Sequence, residues 1–223
     1  MTINAGEAMS EITAKQVEAG QSPYNRLVLA VYNPMVRFNC RFLWRCPARQ
    51  MLDLYNEHVS ANHLDVGVAT GMFLDRCRFS VPNPRLALMD LNPNSLAVAA
   101  RVLARYHPET YLRNVLEPIE IAALPFDSVG LANLLHCLPG TMTTKKVVFE
   151  NLKAVLKPGG VLFGCTLLSK GVERGLPGKL YMGYLNACHV FTNKEDDLDG
   201  LKRNLAECFP ESSVKVVGCM ALF

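Results

Sequence analysis

From residue 60 to residue 168 the chain alternates short apolar runs with segments of helical periodicity, and this alternation restricts the fold more than any other feature. HLDVGV, RLALMDL, YLRNVL, FDSVGLANLLHCL and GVLFGCTLL read as five strands. MFLDRCRF, NSLAVAARVLARYH and KKVVFENLKAVL read as the helices between them, the last closed by Lys157-Pro158-Gly159-Gly160. The fifth strand is apolar on both faces, the pattern of strands in a parallel sheet covered by helices on both sides. Two more strands are expected at the end of the chain, where Gly218 divides SSVKVVGCMALF at the sheet edge.

The flanking segments differ in kind. Residues 1–20 are polar or small and suggest a loose arm or a frayed helix. YNRLVLAVYNPMVRFNCRFLWR, residues 24–45, is aromatic and aliphatic, and Pro34 and Pro47 are expected to break it into helical pieces. Pro47 suits the first turn of a further helix, PARQMLDLYNEHV. GLPGKLYMGYLNACHVF reads as an inserted helix, and the acidic run Glu195 to Asp199 as the charged start of another. With 223 residues, half of them hydrophobic, the chain suits one domain with a sizeable core.

The eight cysteines include no C-x-x-C pair and several sit inside apolar runs, so reduced thiols in a cytoplasmic protein are expected, with no metal site. No apolar run reaches the roughly 18 to 20 residues of a membrane span, and no membrane role is expected. A net charge of +3 does not by itself call for nucleic acid. Arg37, Arg41, Arg45 and Arg49 recur every fourth residue and read as a solvated face.

The turn VGVATG, residues 66–71, places Gly67 and Gly71 between the first strand and its helix. Asp90 ends the second strand about 20 residues further on, the place from which a carboxylate reaches both hydroxyls of a ribose. A phosphate-binding lysine is missing, and Asp65 would repel a pyrophosphate; it suits a ligand with positive charge. An adenosine with a cationic, amino-acid-like tail meets both demands, and S-adenosylmethionine (SAM) is such a molecule.

At this point LDVGVATG, LALMDLNPNSLAVA, RNVLEP, PFDSVGLANLLHCLP and NLKAVLKPGGVLFG together resemble the motifs of class I SAM-dependent methyltransferases. The resemblance implies a Rossmann-like α/β sheet of seven strands, mostly parallel with an antiparallel last strand and helices on both faces. It implies one methyltransferase-like domain over residues 1–223, with a helical lid at 20–59 and a helical insertion at 174–192. Asp65 with Gly67, Val68, Ala69 and Gly71 would then face the methionine portion, Asp90 the ribose and Leu91 the adenine. Asn114 and Val115 would meet the adenine edge, and Asn133 and Leu134 would lie under the sulfonium. Ala69 departs from the family pattern, which has glycine there.

For the acceptor, His136 is the candidate base, and Tyr24, Tyr32, Tyr181 and Tyr184 are candidate walls of its site. His63, at the other end of the first strand, is given no chemistry. The expected activity is methyl transfer to oxygen, nitrogen or activated carbon of a small molecule, in specialised or cofactor metabolism. Base methylation is disfavoured, because ANLLHCLPG replaces the [N/D/S]-P-P-[Y/F/W] motif of amino-group enzymes and no Pro-Cys pair is present. Other RNA or protein targets stay open, as does a protein of this fold that binds SAM or its substrate without methyl transfer, such as a cyclase. A homodimer through the sheet edge is also left open.

Overall fold

The computed structural model describes residues 14–21, 24–121 and 124–223. The arm expected at residues 1–13 lies outside the described residues. Helix α1 (Ala14–Gln21) precedes α2 (Arg26–Phe38), a π-turn at Asn39–Leu43 and α3 (Ala48–His58). There follow β1 (Asn62–Val66), α4 (Met72–Arg76), β2 (Arg85–Asp90), α5 (Pro93–Val102), β3 (Glu109–Leu112) and β4 (Phe126–Ala132). The second half holds α6 (Met142–Ala154), β5 (Leu156–Leu167), α7 (Leu176–Ala187), α8 (Leu198–Cys208), β6 (Lys215–Val217) and β7 (Met220–Leu222).

The seven strands form one sheet in the order β3-β2-β1-β4-β5-β7-β6. The first five in that order are parallel, and β7 runs antiparallel to β5 and β6. This is the Rossmann-like α/β fold expected. Side chains alternate between two apolar layers: Leu86 and Leu88 of β2 join Tyr55 and Phe163 on one face, while Ala87 and Met89 join Phe126, Val129 and Phe149 on the other. A residue such as Leu88, wholly removed from water, contributes about 2 kcal/mol. The order of strands reverses between β1 and β4, which opens a crevice beyond their carboxyl ends.

Several local expectations need correction. Pro34 does not break its helix: it lies exposed inside α2, whose Leu29 is buried, and the regular helix ends only at the π-turn. Packing of that face offsets the cost of one missing backbone hydrogen bond. Pro47 is the residue before the first turn of α3. β3 ends at Leu112, because the Asn114 side chain accepts the N–H of Leu116 (3.1 Å) and turns the chain out of the sheet. Lys157 to Gly160 do not close a helix but form an irregularity inside β5, whose Leu156 pairs with Phe126 and whose Val161 pairs with Ser128. Gly218 does divide the final strands, yet β7 lies inside the sheet and the open edge is the three-residue β6.

Candidate functional site

The turn after β1 is built by sterics. Gly67 adopts φ +73°, and a side chain there would come within 3.0 Å of Leu134, so only glycine lets the turn close against the end of β4. Its N–H donates to the Met89 carbonyl (2.8 Å), and the Gly71 N–H to Val68 (2.7 Å). Ala69 takes the left-handed conformation at φ +46°, which costs an L-residue about 1–2 kcal/mol. Ala69→Gly is therefore expected to stabilise the fold by up to about 1 kcal/mol, after the added freedom of the unfolded chain is subtracted. Urea denaturation would show it as a higher midpoint with an unchanged slope.

Two hollows flank this turn. The larger, with about 720 Å³ of free space, is bounded by Gly67, Ala69, Asp90, Leu91, Asn114, Val115, Asn133 and Leu134. The smaller lies beneath the turn, against Asp65, Gly67, Val68, Ala69 and Gly71. All eleven residues expected around the cofactor thus border one or other of these two hollows. Sequence reasoning missed Val17, Gln21, Arg113 and Cys137, which also line the larger hollow. Helix α1 is tied over it by Asn92 Nδ2 donating to the Gln21 carbonyl (2.9 Å), and α2 is tied to the turn by Thr70 Oγ1 donating to Asn33 Oδ1 (2.5 Å).

The Asp90 carboxylate accepts the Asn92 N–H at 2.8 Å and stands 3.5 Å from that of Ala69. Burial nevertheless pushes its pKa up to about 6, and no cation among the described residues pairs with it. Asp65 is buried and accepts from the Tyr55 hydroxyl at 2.7 Å. His63, fully buried behind it, places Nδ1 2.8 Å from Ser128 Oγ and Nε2 3.7 Å from Asp65.

A third cavity, with about 830 Å³ of free space, lies between α2 and α7. Its walls include Tyr24, Tyr32, Trp44, His136, Tyr181 and Phe191, and no carboxylate lines it. Tyr181 stacks on Trp44 at 5.7 Å. Tyr184 does not reach this cavity: it stacks on the outer side of Tyr181 and is 62% exposed. Three residues, Tyr24, Tyr32 and Asn133, border both this cavity and the larger hollow. Burial raises both tyrosine pKa values, so their hydroxyls stay protonated. Asn133 holds φ +58° at the end of β4, a conformation that asparagine tolerates better than most residues.

His136 is buried against Phe191, with ring centroids 4.5 Å apart. Burial, aided by the charge of Lys145, lowers its pKa to about 3. The Leu167 N–H points at Nδ1 from 3.3 Å, so the neutral ring carries its proton on Nε2. Thr166 Oγ1 also stands 3.4 Å from Nδ1, so the base expected from the sequence has that nitrogen engaged.

A network absent from the sequence reading supports this wall. Lys145 Nζ, wholly buried, donates to both carboxylate oxygens of Asp196 (2.9 and 2.7 Å) and to the Thr192 carbonyl (3.3 Å). Thr192 in turn donates its N–H to the His136 carbonyl (2.8 Å). Of the acidic run, Asp197 caps α8 and Glu195 pairs with Lys170, as a charged helix start implies, but Asp196 turns inward.

A crevice at the sheet's reversal point, a half-buried acid at its rim and a neighbouring apolar cavity suit a transferase that uses a nucleoside cofactor. A sequence profile described as a methyltransferase domain matches residues 64–162. The chain is 38% identical to demethylluteothin O-methyltransferase of Streptomyces thioluteus over 224 aligned residues, covering 100% of this chain and 97% of the relative. It is 37% identical to the physcion biosynthesis cluster O-methyltransferase of Aspergillus chevalieri, covering 92% and 94%. Among solved structures, the DhpI complex with S-adenosylhomocysteine (SAH) aligns with a TM-score of 0.62 at 15% identity, covering 95% and 96%. The N-methyltransferase NodS of Bradyrhizobium japonicum, also with SAH, gives 0.56 at 21% identity, covering 78% and 81%. The chain belongs to the methyltransferase family, and its cofactor is SAM. The residues present fit that cofactor: a half-buried carboxylate with no cation beside it lines the hollow where ribose hydroxyls would reach it.

Proposed function

We propose that the protein methylates a hydroxyl on a flat, largely apolar small molecule held between α2 and α7. The observation that carries this reading is the junction at Tyr24, Tyr32 and Asn133, where the cofactor hollow and an aromatic-walled cavity share a boundary. The O-methyltransferase names of the relatives favour oxygen as the acceptor atom and specialised metabolism as the setting.

The bound cofactor supplies an electrophilic methyl group on a sulfonium. Asp90 holds the ribose, Leu91 and Val115 enclose the adenine, Asn114 meets its edge, and Asp65 with the turn receives the amino-acid tail. Leu134 and Asn133 support the reacting end. Helices α1 to α3 serve as the lid and α7 as the opposite wall, which excludes water from the transfer. Tyr24, Tyr32 and Tyr181 contact the acceptor; Tyr184 supports Tyr181 from outside.

His136 positions the acceptor by donating from Nε2 to one of its oxygens. With no carboxylate in the cavity and a neutral imidazole whose Nδ1 is engaged, the acceptor hydroxyl is one acidic enough to ionise without an enzymic base. Phenols and enols conjugated to a carbonyl have that property. The reduced cysteines favour the cytoplasm, the cavity's aromatic lining without cations disfavours nucleic acid, and a homodimer through the sheet would pair along β6.

The test is SAH formation and product mass with SAM and a panel of carbonyl-conjugated phenols and enols. At saturating SAM, kcat is expected to show no limb between pH 6 and 8 that is owed to His136. His136→Gln, which keeps a donor, should retain kcat within about tenfold, whereas His136→Ala should lose about a hundredfold. Equal losses in both variants, with a wild-type limb near neutrality that both abolish, would restore the general base. SAH binding without product from any acceptor would favour the non-transferring alternative.

A further inference from the structure

Leu27, Val31, Phe38 and Phe42 share one face of α2 and the π-turn, and all are exposed, Leu27 by 82% and both phenylalanines by 58%. On α7, Leu176, Leu180 and Tyr184 form a second exposed stripe at intervals of four residues. In each helix the stripe about 100° further round lines the cavity, through Val28 and Tyr32 on α2 and Tyr181 and Leu185 on α7. The apolar surface therefore flanks the acceptor cavity on both sides. Isolated exposed apolar residues need no explanation, but contiguous stripes on two neighbouring helices do.

Basic residues dominate the charge around these stripes, with the exposed Glu173 at the start of the α7 stripe as the exception. Residues 19–52 hold five arginines and no carboxylate, and residues 174–193 hold Arg174 and Lys179 and no carboxylate. Arg37 and Arg41 are exposed beside the α2 stripe and make no ion pair among the described residues; the Arg41 guanidinium lies over the Phe42 ring at 5.7 Å. A two-fold contact between copies of α2 would set arginine against arginine with no acid on that helix to separate them. An apolar stripe bordered by arginine is instead the arrangement of a helix that lies in a membrane interface.

We propose that this face docks on the surface of an anionic phospholipid bilayer. Leu27, Val31, Phe38 and Phe42 enter the acyl boundary and Arg37 and Arg41 meet the headgroups. No described helix is long and apolar enough to cross a membrane, so the protein lies on the bilayer. The acceptor cavity then lies at the membrane, and an apolar acceptor dissolved in the lipid enters without crossing bulk water. The docking itself rests on this surface alone and stands whatever the chemistry inside.

Flotation of the full chain with vesicles of phosphatidylcholine, alone and mixed with phosphatidylglycerol, tests it. The protein is expected to float with the mixed vesicles at low salt and to stay behind with phosphatidylcholine alone or at high salt. Arg37→Gln and Arg41→Gln should each weaken partition about fivefold. The double variant Leu27→Glu with Phe38→Glu should abolish flotation while leaving calorimetric SAH binding unchanged, which shows the fold intact. Wild-type protein that binds SAH but never floats would overturn the proposal. So would light scattering that finds a dimer which the double variant converts to monomer, because the face would then belong to a second copy.

Discussion

Asp90→Asn is expected to raise the melting temperature of the ligand-free protein by a few degrees and to weaken SAH binding about a hundredfold. Both effects come from one carboxylate. Without ligand it is half-buried among backbone donors with no cation beside it, and burial pushes its pKa up to about 6, against an unfolded value near 4. A pKa raised on folding means that the native state binds the proton more tightly than the unfolded chain does. The resulting stability is complete below about pH 4 and is lost as pH rises through about 6. At neutral pH the asparagine variant escapes that loss, about 1–2 kcal/mol once the open side of the hollow is allowed for. With ligand the balance reverses, because the ionised group would accept two ribose hydroxyls in charge-assisted bonds; losing them costs about 3 kcal/mol. Wild-type affinity for SAM should fall as pH drops below about 6, and the variant should lack that dependence. Calorimetry and thermal melts on the two proteins decide it, and a variant that binds SAH like the wild type would remove Asp90 from the site.

Lys145→Met should destabilise the protein by about 3–5 kcal/mol, the cost of leaving a partner charge buried and unpaired. Lys145 and Asp196 are both fully buried, and desolvation moves their pKa values toward the neutral forms, down for Lys145 and up to about 6 for Asp196. The double variant Lys145→Met with Asp196→Leu should regain most of the stability, since apolar replacement of a whole buried pair is often close to neutral. It should not regain full turnover. The ammonium also holds the Thr192 carbonyl, and Thr192 holds the backbone of His136. Recovery of the melting temperature with kcat still about tenfold down would separate the two roles; full recovery of both would make the pair purely structural.

What the sequence discloses follows the range of the interactions. The turn from Gly67 to Gly71 and the acid at Asp90 were legible because local backbone geometry and position at a strand end define them. The alternation of strands and helices was legible for the same reason. The partner of Lys145 was not, because Asp196 is far away in the chain and sits among acids that face solvent. Tyr181 and Tyr184 look equivalent in sequence, and only the rotation of α7 against Trp44 assigns one to the cavity. The end of β3 depended on one Asn114 side chain competing for a backbone donor. The state of His136 depended on a backbone N–H from β5, which no motif around LLHCLP announces.

The ties from Asn92 to Gln21 and from Thr70 to Asn33 have a kinetic consequence. They fasten α1 and α2 across the cofactor's hollow, and those same segments carry or adjoin the tyrosines that wall the acceptor cavity. An acceptor seated against Tyr24 and Tyr32 would hold that cover down. On the proposed placement of the two ligands, the expected order is nucleoside first, acceptor second, methylated product out, and spent nucleoside last. SAH is then expected to inhibit in competition with SAM, and initial rates at varied SAM with added SAH would check it.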